Sequence, residues 1–447
     1  MIASIIICFI IGYIVIVFEH PLKLDKTVPA LLMGALCWSI IALGHLDVMY
    51  ADPLNHNGPH QAISHFEPVL LHHIGKVAEI LFFLIGAMTI VELIDLHRGF
   101  SVITNRIQTT SKVKMLWIVC IIAFFMSALL DNLAATIVLV SLLRRLVPLR
   151  EERLWFISMA VIAANAGGAW SPIGDVTTTM LWIAEKVTTV GLIKNLVLPS
   201  IVCLVVPCFI ASRLKAFKGN ISPANRDFDQ KINEEKLLSS RTMLTVGLSA
   251  LVFVPIFKSV THLPPYMGMM LSLGFVWLVS EYVHPEEDFT AERKAKYSAH
   301  YALSRIEMSS ILFFLGILVA VAALESIAVT SGDHSVGLLM SLAESLQAAV
   351  PNQDIVVIML GVLSAIIDNV PLVAASIGMY VQPTDNDLWH FIAYSAGTGG
   401  SMLIIGSAAG VAAMGMERID FIWYLKNIAW LAALGFLAGA GVFILMH

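Results

Sequence analysis

Long apolar runs recur from one end of the chain to the other, and short polar stretches break several of them. A run of about 20 apolar residues is the length that an α-helix needs to cross the hydrocarbon core of a bilayer. The pattern therefore predicts membrane helices over residues 2–18, 27–44, 77–95, 196–212, 242–257, 266–283, 309–325 and 421–446. Four further elements are interrupted, namely two pairs of half-helices at 114–147 and 355–381 and two long helices with central glycines at 155–184 and 390–415.

The composition agrees with a chain that lies mostly in lipid. Of the 447 residues, 58% are hydrophobic and 13% are charged, whereas a soluble domain carries about 25% charged residues. The fold class is therefore predicted to be an all-α polytopic membrane protein, and the N-terminal run is interpreted as its first membrane helix. No stretch is basic enough to indicate nucleic-acid binding, and the five cysteines lack metal-ligand spacing.

Three short motifs occur twice, in the same order and at nearly the same offset. ILFFLIG at 80–86 returns as ILFFLGI at 311–317, SALLDNL at 127–133 as SAIIDNV at 364–370, and GGAWSPIG at 167–174 as GGSMLIIG at 399–406. The offsets are 231, 237 and 232 residues. The chain is thus predicted to contain two structural repeats, one in each of the segments 1–241 and 242–447.

The distribution of Lys and Arg gives the two repeats opposite orientations. Basic residues flank the first half-helix pair on both sides, at 98–114 and 144–153, and Lys and Arg mark the cytoplasmic side of a membrane protein. The second pair lies in a stretch, 326–389, that contains neither residue type, which places both of its ends on the other side. Each pair is therefore predicted to be a re-entrant hairpin with Asp-Asn at its tip, in the inverted-repeat plan of secondary transporters.

Carboxylates inside apolar segments carry the predicted chemistry. Asp131 and Asp368 lie at the hairpin tips, and Asp175 follows the glycine break of the first interrupted helix. An Asp at the centre of a membrane helix costs roughly 2.5–3.5 kcal/mol on translocon-type scales, so such a residue marks a functional site by default. Burial favours the protonated carboxyl group, and an arriving cation competes with the proton for the same oxygens. This competition is the simplest chemistry that couples proton release to cation binding.

Neutral oxygen donors accompany these acids, and hard alkali cations prefer such donors. The candidate ion- and proton-binding residues are Asp131, Asn132, Asn165, Asp175, Thr177, Thr178, Ser364, Asp368, Asn369 and Ser401, with Glu79 on a neighbouring helix. The predicted ligands of Na⁺ or Li⁺ itself are Asp131, Asn132, Asp175, Asp368 and Asn369. In the second repeat Ser407 stands at the place of Asp175, so the two halves are chemically unequal.

Structural roles are the alternative for each candidate. An Asp at a helix break can be a cap, and Thr or Ser hydroxyls can cap a half-helix that restarts after a break. Asn side chains can bond loose backbone groups, and Glu79 can either relay protons or lie at the membrane interface. The sequence by itself leaves these alternatives open.

At its four interrupted elements the chain resembles an NhaD-type sodium/proton antiporter of the ion transporter superfamily. The motifs that carry the resemblance are SALLDNLAATIVLVSLLRRL, GGAWSPIGDVTTTMLW, SAIIDNVPLVAASIGMY and AGTGGSMLIIGSAAGVAAMGMERIDFIWYL. The resemblance implies a secondary transporter, not an enzyme, that exchanges Na⁺ and Li⁺ for H⁺ without a cofactor and serves pH homeostasis. It also implies a homodimer in the lipid of a bacterial inner membrane, with a mobile transport domain and elevator-like alternating access. The family's polar residues map onto the candidates above except Ser401.

Other interpretations predict different substrates or chemistry. A sodium-coupled dicarboxylate or other anion carrier, or an arsenite exporter, shares the superfamily plan, but the dicarboxylate branch resembles Ser-Asn-Thr at each tip, and buried acids repel an anion. An intramembrane aspartyl protease requires Gly-x-Gly-Asp, and here Pro172 stands at the first glycine. A passive cation channel would not depend on a pH gradient. Stoichiometry, ion ranking and pH optimum do not follow from the sequence.

Overall fold

The computed structural model describes residues 1–18, 22–50, 61–63, 65–104, 107, 109–221, 237–283, 297–331, 334–366 and 368–447. The helices of this part of the chain are α1 (Ile2–Val17), α2 (Thr27–Leu43), α3 (Glu67–Leu96), α4 (Ser101–Thr104), α5 (Lys112–Leu130), α6 (Asn132–Leu146), α7 (Arg150–Gly168), α8 (Val176–Ile183), α9 (Thr189–Ala211), α10 (Ser240–Thr261), α11 (Pro265–Tyr282), α12 (Ala299–Arg305), α13 (Met308–Ser326), α14 (Leu338–Ala349), α15 (Gln353–Ser364), α16 (Asn369–Met379), α17 (Asp387–Gly399), α18 (Ala408–Glu417), α19 (Phe421–Asn427) and α20 (Ala429–Met446). The strands are β1 (Val48–Tyr50), β2 (Gln61–Ile63), β3 (Ala328–Ser331) and β4 (His334–Gly337).

Several helices have the length and apolar character of membrane spans. Within the described ranges, six qualify singly: α3, α5, α9, α10, α13 and α20. A further pair, α14 and α15, qualifies when taken together and is bent by 117° at its break. The predicted all-α polytopic membrane fold is confirmed.

Some elements differ from the sequence prediction. Helix α3 begins at Glu67 and not at residue 77, because its first turns carry polar residues that lower the local hydropathy. The helix predicted over 421–446 is divided into α19 and α20 at Ile428. Helix α14 is amphipathic, and averaging its two faces hides it from a hydropathy pattern. The strands form two antiparallel pairs, β1 with β2 and β3 with β4, that were not predicted because each strand has only three or four residues.

The described chain forms two compact units, and each takes segments from both predicted repeats. The first unit comprises Met1–Phe82, Glu307–Val357 and Val370–Pro383. The second unit comprises Phe83–Ile306, Ile358–Asn369 and Thr384–His447. The division of the sequence into repeats at residue 241 stays a prediction, but the compact units do not follow that boundary.

Close helix packing holds the first unit together. Helices α2 and α13 approach so closely that a Cβ added at Gly34 would lie 2.7 Å from the carbonyl oxygen of Gly316. In the same helix pair, Trp38 Nε1 donates a hydrogen bond of 2.9 Å to the carbonyl of Val319. The absence of side chains at the two glycines therefore sets the distance between these two helices.

In the second unit, the chain reverses direction at Asp131. Helix α5 is about 28 Å long, yet both outer ends of the α5–α6 pair lie against the first turn of α7. Lys112, at the start of α5, forms a 2.7 Å ion pair with Glu152, and Arg153 donates a 3.0 Å hydrogen bond to the carbonyl of Val147, just after α6. The pair therefore has the shape of the predicted hairpin, and its re-entrance into a bilayer stays a prediction.

The two glycine breaks of the second unit pack in the same way. A Cβ added at Gly167 would overlap the carbonyl group of Phe124, and one added at Gly399 would overlap the carbonyl group of Gly361. The glycines are 232 residues apart and their partners 237 residues apart, which are the offsets of the duplicated sequence motifs. The repeated sequence thus corresponds to a repeated backbone contact.

At one end of the second unit, Glu417 connects the two repeats. Its side chain is only 3% exposed and accepts hydrogen bonds from Arg144 Nε at 2.6 Å and Arg153 Nε at 3.0 Å. Arg150 adds a 3.0 Å bond to the Glu417 carbonyl, which is an end group of α18. The arginines belong to the first repeat and Glu417 to the second, so the ion pairs join both.

Glu417→Gln is expected to lower the free energy of unfolding by about 1–3 kcal/mol, because the guanidinium groups of Arg144 and Arg153 would lose the buried carboxylate that accepts their hydrogen bonds. The decrease is measured as a lower Tm of the purified protein in detergent. Glu151→Gln, which changes an exposed acid in the first turn of α7, is the control and should leave Tm unchanged. An unchanged Tm in Glu417→Gln would show that solvent already screens these ion pairs.

Candidate functional site

The break between α7 and α8 places a buried carboxylate at a helix N-terminus. Helix α7 ends at Gly168, and Pro172 prevents simple continuation because proline lacks a backbone N–H. Asp175 then caps α8, and its Oδ1 accepts hydrogen bonds from Thr177 N at 2.8 Å and Thr177 Oγ1 at 2.7 Å. Asp175 is 1% exposed, and the positive end of the α8 dipole favours its negative charge.

The asparagines at both predicted hairpin tips contact this carboxylate. Asn132, the first residue of α6, donates from Nδ2 to Asp175 Oδ2 at 2.5 Å. Asn369, the first residue of α16, donates from Nδ2 to both carboxylate oxygens, at 3.3 and 3.4 Å. Both asparagines are 4% exposed. One acid from the first break is therefore hydrogen-bonded to the tips of both repeats.

Asn165 extends the polar cluster to the second break. Its Oδ1 accepts a 3.1 Å bond from Asn132 Nδ2, and its Nδ2 donates to Ser401 Oγ at 2.9 Å and Ser407 Oγ at 2.8 Å. Ser407 also caps α18 by accepting from Gly410 N. Ser407 thus holds the cap position that Asp175 holds in the first repeat, with a hydroxyl in place of a carboxylate.

Asp131 has an unusual backbone conformation at the first hairpin tip. Its φ of 107° and ψ of 161° fall in a region that glycine adopts and other residues avoid, at a cost of about 1–3 kcal/mol. Its Oδ1 accepts a 2.6 Å bond from Ala134 N and so caps α6. Its side chain is half-buried. The carboxylate therefore has a structural partner beside the cluster.

Hydroxyl groups at the breaks bond to backbone carbonyls. Thr178 Oγ1 donates to the carbonyls of Ser171 and Asp175, at 2.7 and 2.9 Å. Ser364 Oγ donates to the carbonyl of Ala396 at 2.8 Å. These hydroxyls satisfy carbonyls that the broken helices release, which supports a structural role for Thr178 and Ser364.

The structure brings most of the candidate residues together. One connected set of hydrogen bonds contains Asn132, Asn165, Asp175, Thr177, Asn369 and Ser401. Asp131 and Asp368 directly precede the two tip asparagines, and both are half-buried. Glu79 belongs to the first unit and the cluster to the second. Ser407 is not one of the candidate residues predicted from the sequence, although the repeat aligns it with Asp175.

The cluster consists mainly of amide and hydroxyl groups around one acid. In the described part of the chain, no group of three or more His, Cys, Asp or Glu residues has the arrangement of a metal site. The described donors to Asp175 are neutral, namely two side-chain amides, a hydroxyl and a backbone N–H. Such oxygen-rich surroundings suit a weakly held alkali cation better than a resident transition metal.

Sequence comparison relates the chain to transporters. The model of a family described as citrate transporters matches residues 13–389. Sodium/proton antiporter 1 of Arabidopsis thaliana is 44% identical over 443 residues, which cover 98% of this chain and 71% of that protein. The Na⁺/H⁺ antiporter NhaD of Alkalimonas amylolytica is 28% identical over 466 residues, which cover 98% of this chain and 89% of that protein.

A solved structure shares the fold. The YdaH transporter of Alcanivorax borkumensis, whose crystal structure is described as revealing an unusual topology, superposes with a TM-score of 0.58. The match covers 94% of this chain and 97% of that one, at 12% sequence identity. At this identity the likeness concerns the fold alone.

Proposed function

The chain belongs to the NhaD-type family of sodium/proton antiporters, as the resemblance at its motifs implied, and from that premise we propose that it exchanges Na⁺ or Li⁺ for H⁺ at Asp175. A single observation carries the choice of residue: the buried carboxylate receives amide N–H groups from Asn132 and Asn369, one from each repeat. Its described partners carry no net charge, and in the proposal a proton or a cation balances the charge of the carboxylate.

Exchange follows because either a proton or an alkali cation can balance the negative charge of Asp175. An unneutralised carboxylate away from water is costly, and a proton on Asp175 removes the charge. Alternatively, an alkali cation takes the carboxylate oxygens as ligands. Each side-chain amide carries an oxygen as well as N–H donors, so rotating the amides of Asn132 and Asn369 would turn these donors into cation ligands. Because both ions need the same carboxylate, the binding of one releases the other.

The acids at the tips complete the proposed cation site. Asp131 and Asp368 are next to the two asparagines in sequence and are more exposed than Asp175. In the proposal they contribute carboxylate oxygens to the loaded site, and Asn165, Thr177 and Ser401 hold the neutral part of the shell in place. Thr178 and Ser364 contribute indirectly, by fixing the backbone of the breaks.

Asp131→Gly removes the carboxylate of Asp131 and also relieves its backbone strain. The variant therefore tests the loss of the carboxylate without a large loss of stability. Glycine adopts a φ of 107° without the penalty that Asp131 bears, while the loss of the cap to Ala134 costs about 1 kcal/mol. The variant is expected to keep its Tm within a few degrees and to bind Na⁺ at least about tenfold more weakly, which is about 1.4 kcal/mol. The measurements are Tm in detergent and the Na⁺ concentration at half-maximal exchange.

Asp131→Ala is the matched comparison, since alanine removes the same carboxylate but retains the strained backbone. It should have a lower Tm than Asp131→Gly and a similar loss of Na⁺ affinity. Wild-type Na⁺ affinity in both variants would show that Asp131 caps α6 and does not bind Na⁺.

Elevator-like alternating access is also part of the proposal. The site residues from both repeats lie within the second unit, so one body could carry the complete cluster. A homodimer, transport of Li⁺, a proton relay through Glu79 and a role in pH homeostasis rest on family resemblance. The chain is a multi-pass membrane protein, and the bacterial inner membrane stays a prediction because one close relative is a plant protein.

An anion carrier is the second candidate, because the matching family model is described as citrate transporters. The cluster argues against it, since Asp175 would repel an anion and no described Lys or Arg donates a hydrogen bond to its carboxylate. A tricarboxylate requires several cationic or N–H donors. The side-chain amides of Asn132 and Asn369 already donate hydrogen bonds to Asp175.

Transport by purified protein in proteoliposomes tests the proposal. The vesicles hold an imposed pH gradient and a pH-sensitive dye, and Na⁺, Li⁺, K⁺, citrate or succinate is added separately outside. Collapse of the gradient with Na⁺ or Li⁺ but not with either carboxylate is the expected result. A response to citrate or succinate alone would favour the anion carrier. No response to any alkali cation by folded protein would contradict the antiporter.

A further inference from the structure

His390 is a buried histidine that the proposed exchange site does not use. It lies in the first turn of α17, at the opposite end of that helix from Ser401, and its side chain is 0% exposed. Among the residues that the structure describes, neither Nδ1 nor Nε2 has a hydrogen-bond partner. Leaving buried polar atoms unpaired costs about 1–3 kcal/mol, so a charged group beside this ring would stabilise it.

A carboxylate stands next to the ring. Asp385 Oδ1 is 3.4 Å from His390 Nε2, within ion-pair distance but without hydrogen-bond geometry. Asp385 is itself fixed, since its two oxygens accept from Thr188 N and Thr188 Oγ1 at 2.7 Å each. Gly191 leaves room for this arrangement, because a Cβ there would lie 2.9 Å from His390 Cε1. Asp385 is 35% exposed, so water reaches the carboxylate.

The other ionisable groups on the elements around His390 contact other residues or are exposed. Asp387, on α17, is exposed and lies 3.7 Å from His447 Nε2, just after α20. Lys186, from the segment after α8, lies over the ring of Trp389 at 4.9 Å. On α9, which also packs against α17, Lys194 is exposed to the surroundings. Asp385 is therefore the ionisable group that is best placed to stabilise a charge on His390.

This end of the second unit is the predicted extracytoplasmic one. Asp385 N donates to the carbonyl of Lys186 and Thr384 Oγ1 to the carbonyl of Glu185, which joins the end of the first broken helix to the start of the second. Residues 326–389 contain no Lys or Arg, whereas Arg144, Arg150 and Arg153 donate hydrogen bonds to Glu417, the last residue of α18. By the positive-inside rule the His390 end faces away from the cytoplasm.

We propose that His390, with Asp385 as its counter-ion, accepts protons from the extracytoplasmic side during exchange. The step is a simple protonation: the neutral imidazole takes one H⁺ from water and becomes imidazolium, both ring nitrogens become donors, and the charge is balanced by the existing carboxylate. The reverse step returns the proton and changes no other bond. This inference rests on the proposed function, since it assigns an entry point to the proton that is exchanged.

Exchange rates measured against extracytoplasmic pH test the inference. In oriented proteoliposomes the wild-type rate should show a single titration step as the extracytoplasmic pH is varied. His390→Gln should lose that step and run at least about tenfold slower on the alkaline side, where protons are scarce. The cytoplasmic Na⁺ concentration at half-maximal rate should not change. An unaltered titration step in His390→Gln would overturn the proposal.

Asp385→Asn provides a second test that does not depend on the stability of the first variant. Asparagine tolerates the backbone φ of 60° at this position and keeps an acceptor for Thr188, but removes the charge. The titration step should move about one unit to lower pH, because an imidazolium loses its nearby opposite charge. No shift would contradict the pairing.

A histidine elsewhere supplies the matched control. His262 is exposed, has a φ of 57° at the end of α10, and should give the wild-type profile as His262→Asn. If the wild type itself shows no exchange of Na⁺ or Li⁺ for H⁺, the proposed function fails. If the wild type exchanges these ions but the His390 and Asp385 variants have an unchanged pH dependence, the proposed proton entry at His390 is wrong and the proposed function stands.

Discussion

Asp175→Asn is expected to abolish the collapse of a pH gradient by Na⁺ or Li⁺, with a rate at least about 100-fold below that of the wild type. Asparagine has nearly the same shape and can still accept both hydrogen bonds from Thr177, so the cap of α8 is preserved. It cannot release a proton, and it offers a cation no negative charge. Its Nδ2 would face Asn132 Nδ2 where Oδ2 now accepts at 2.5 Å, so one of the two amides must rotate.

The measurement is the proteoliposome assay, with Tm and elution from a sizing column to show that the variant is folded. Asp175→Ser is a second neutral variant with a precedent in the chain, because Ser407 caps α18 at the equivalent position. Both neutral variants should be inactive, and Glu151→Gln should match the wild type. If folded Asp175→Asn still exchanged Na⁺ for H⁺, the essential carboxylate would be that of Asp131 or Asp368.

Gly399→Ala is expected to have the largest effect on stability. An added Cβ would overlap the carbonyl group of Gly361, and the neighbouring atoms are backbone that cannot rotate away. Overpacking costs typically 1–3 kcal/mol, occasionally more, and a forced backbone shift places this site at the upper end. Gly167→Ala should behave in the same way, because its Cβ would overlap the carbonyl group of Phe124.

Gly441→Ala is the control for both variants. In the described part of the chain, no atom beyond the adjoining backbone of α20 lies within 4 Å of a Cβ added at this residue, and alanine is favoured over glycine in a helix by about 0.5–1 kcal/mol. Its Tm should stay the same or rise, while Gly167→Ala and Gly399→Ala lower Tm by several degrees or prevent purification as a single species. Equal Tm values in all three variants would show that helices α5, α7, α15 and α17 adapt to the extra methyl groups.

The sequence predicted the parts of the site that local patterns determine. Duplicated motifs located both tips and both breaks, since Asp-Asn and Gly-Gly interrupt apolar helices in recognisable ways. The choice among three acids could not be made, because the contact of Asn369 with Asp175 joins residues 194 positions apart. The hydropathy pattern does not distinguish Asp131, Asp175 and Asp368, although Asp175 is buried and the other two are half-buried.

Two side-chain pairs and one strained backbone position have no counterpart in the sequence pattern. Glu417 meets Arg144 across 273 positions, and His390 meets Asp385 through a turn and the first turn of the next helix. No periodicity encodes either pair. The backbone strain at Asp131 was equally hidden, because an Asp before an Asn gives no sign of a glycine-like φ.

The different capping residues of α8 and α18 show how two copies of a duplicated segment can come to differ in chemistry. Both caps have the same extended backbone, with φ of −149° at Asp175 and −145° at Ser407, so the main chain does not depend on which side chain is present. A symmetric ancestor would carry matching caps and could bind ions at two equivalent positions. Exchanging one acid for a hydroxyl leaves the architecture intact and halves the charge that the caps contribute. The two breaks thereby keep the same backbone conformation at their caps and differ in the charge that they carry.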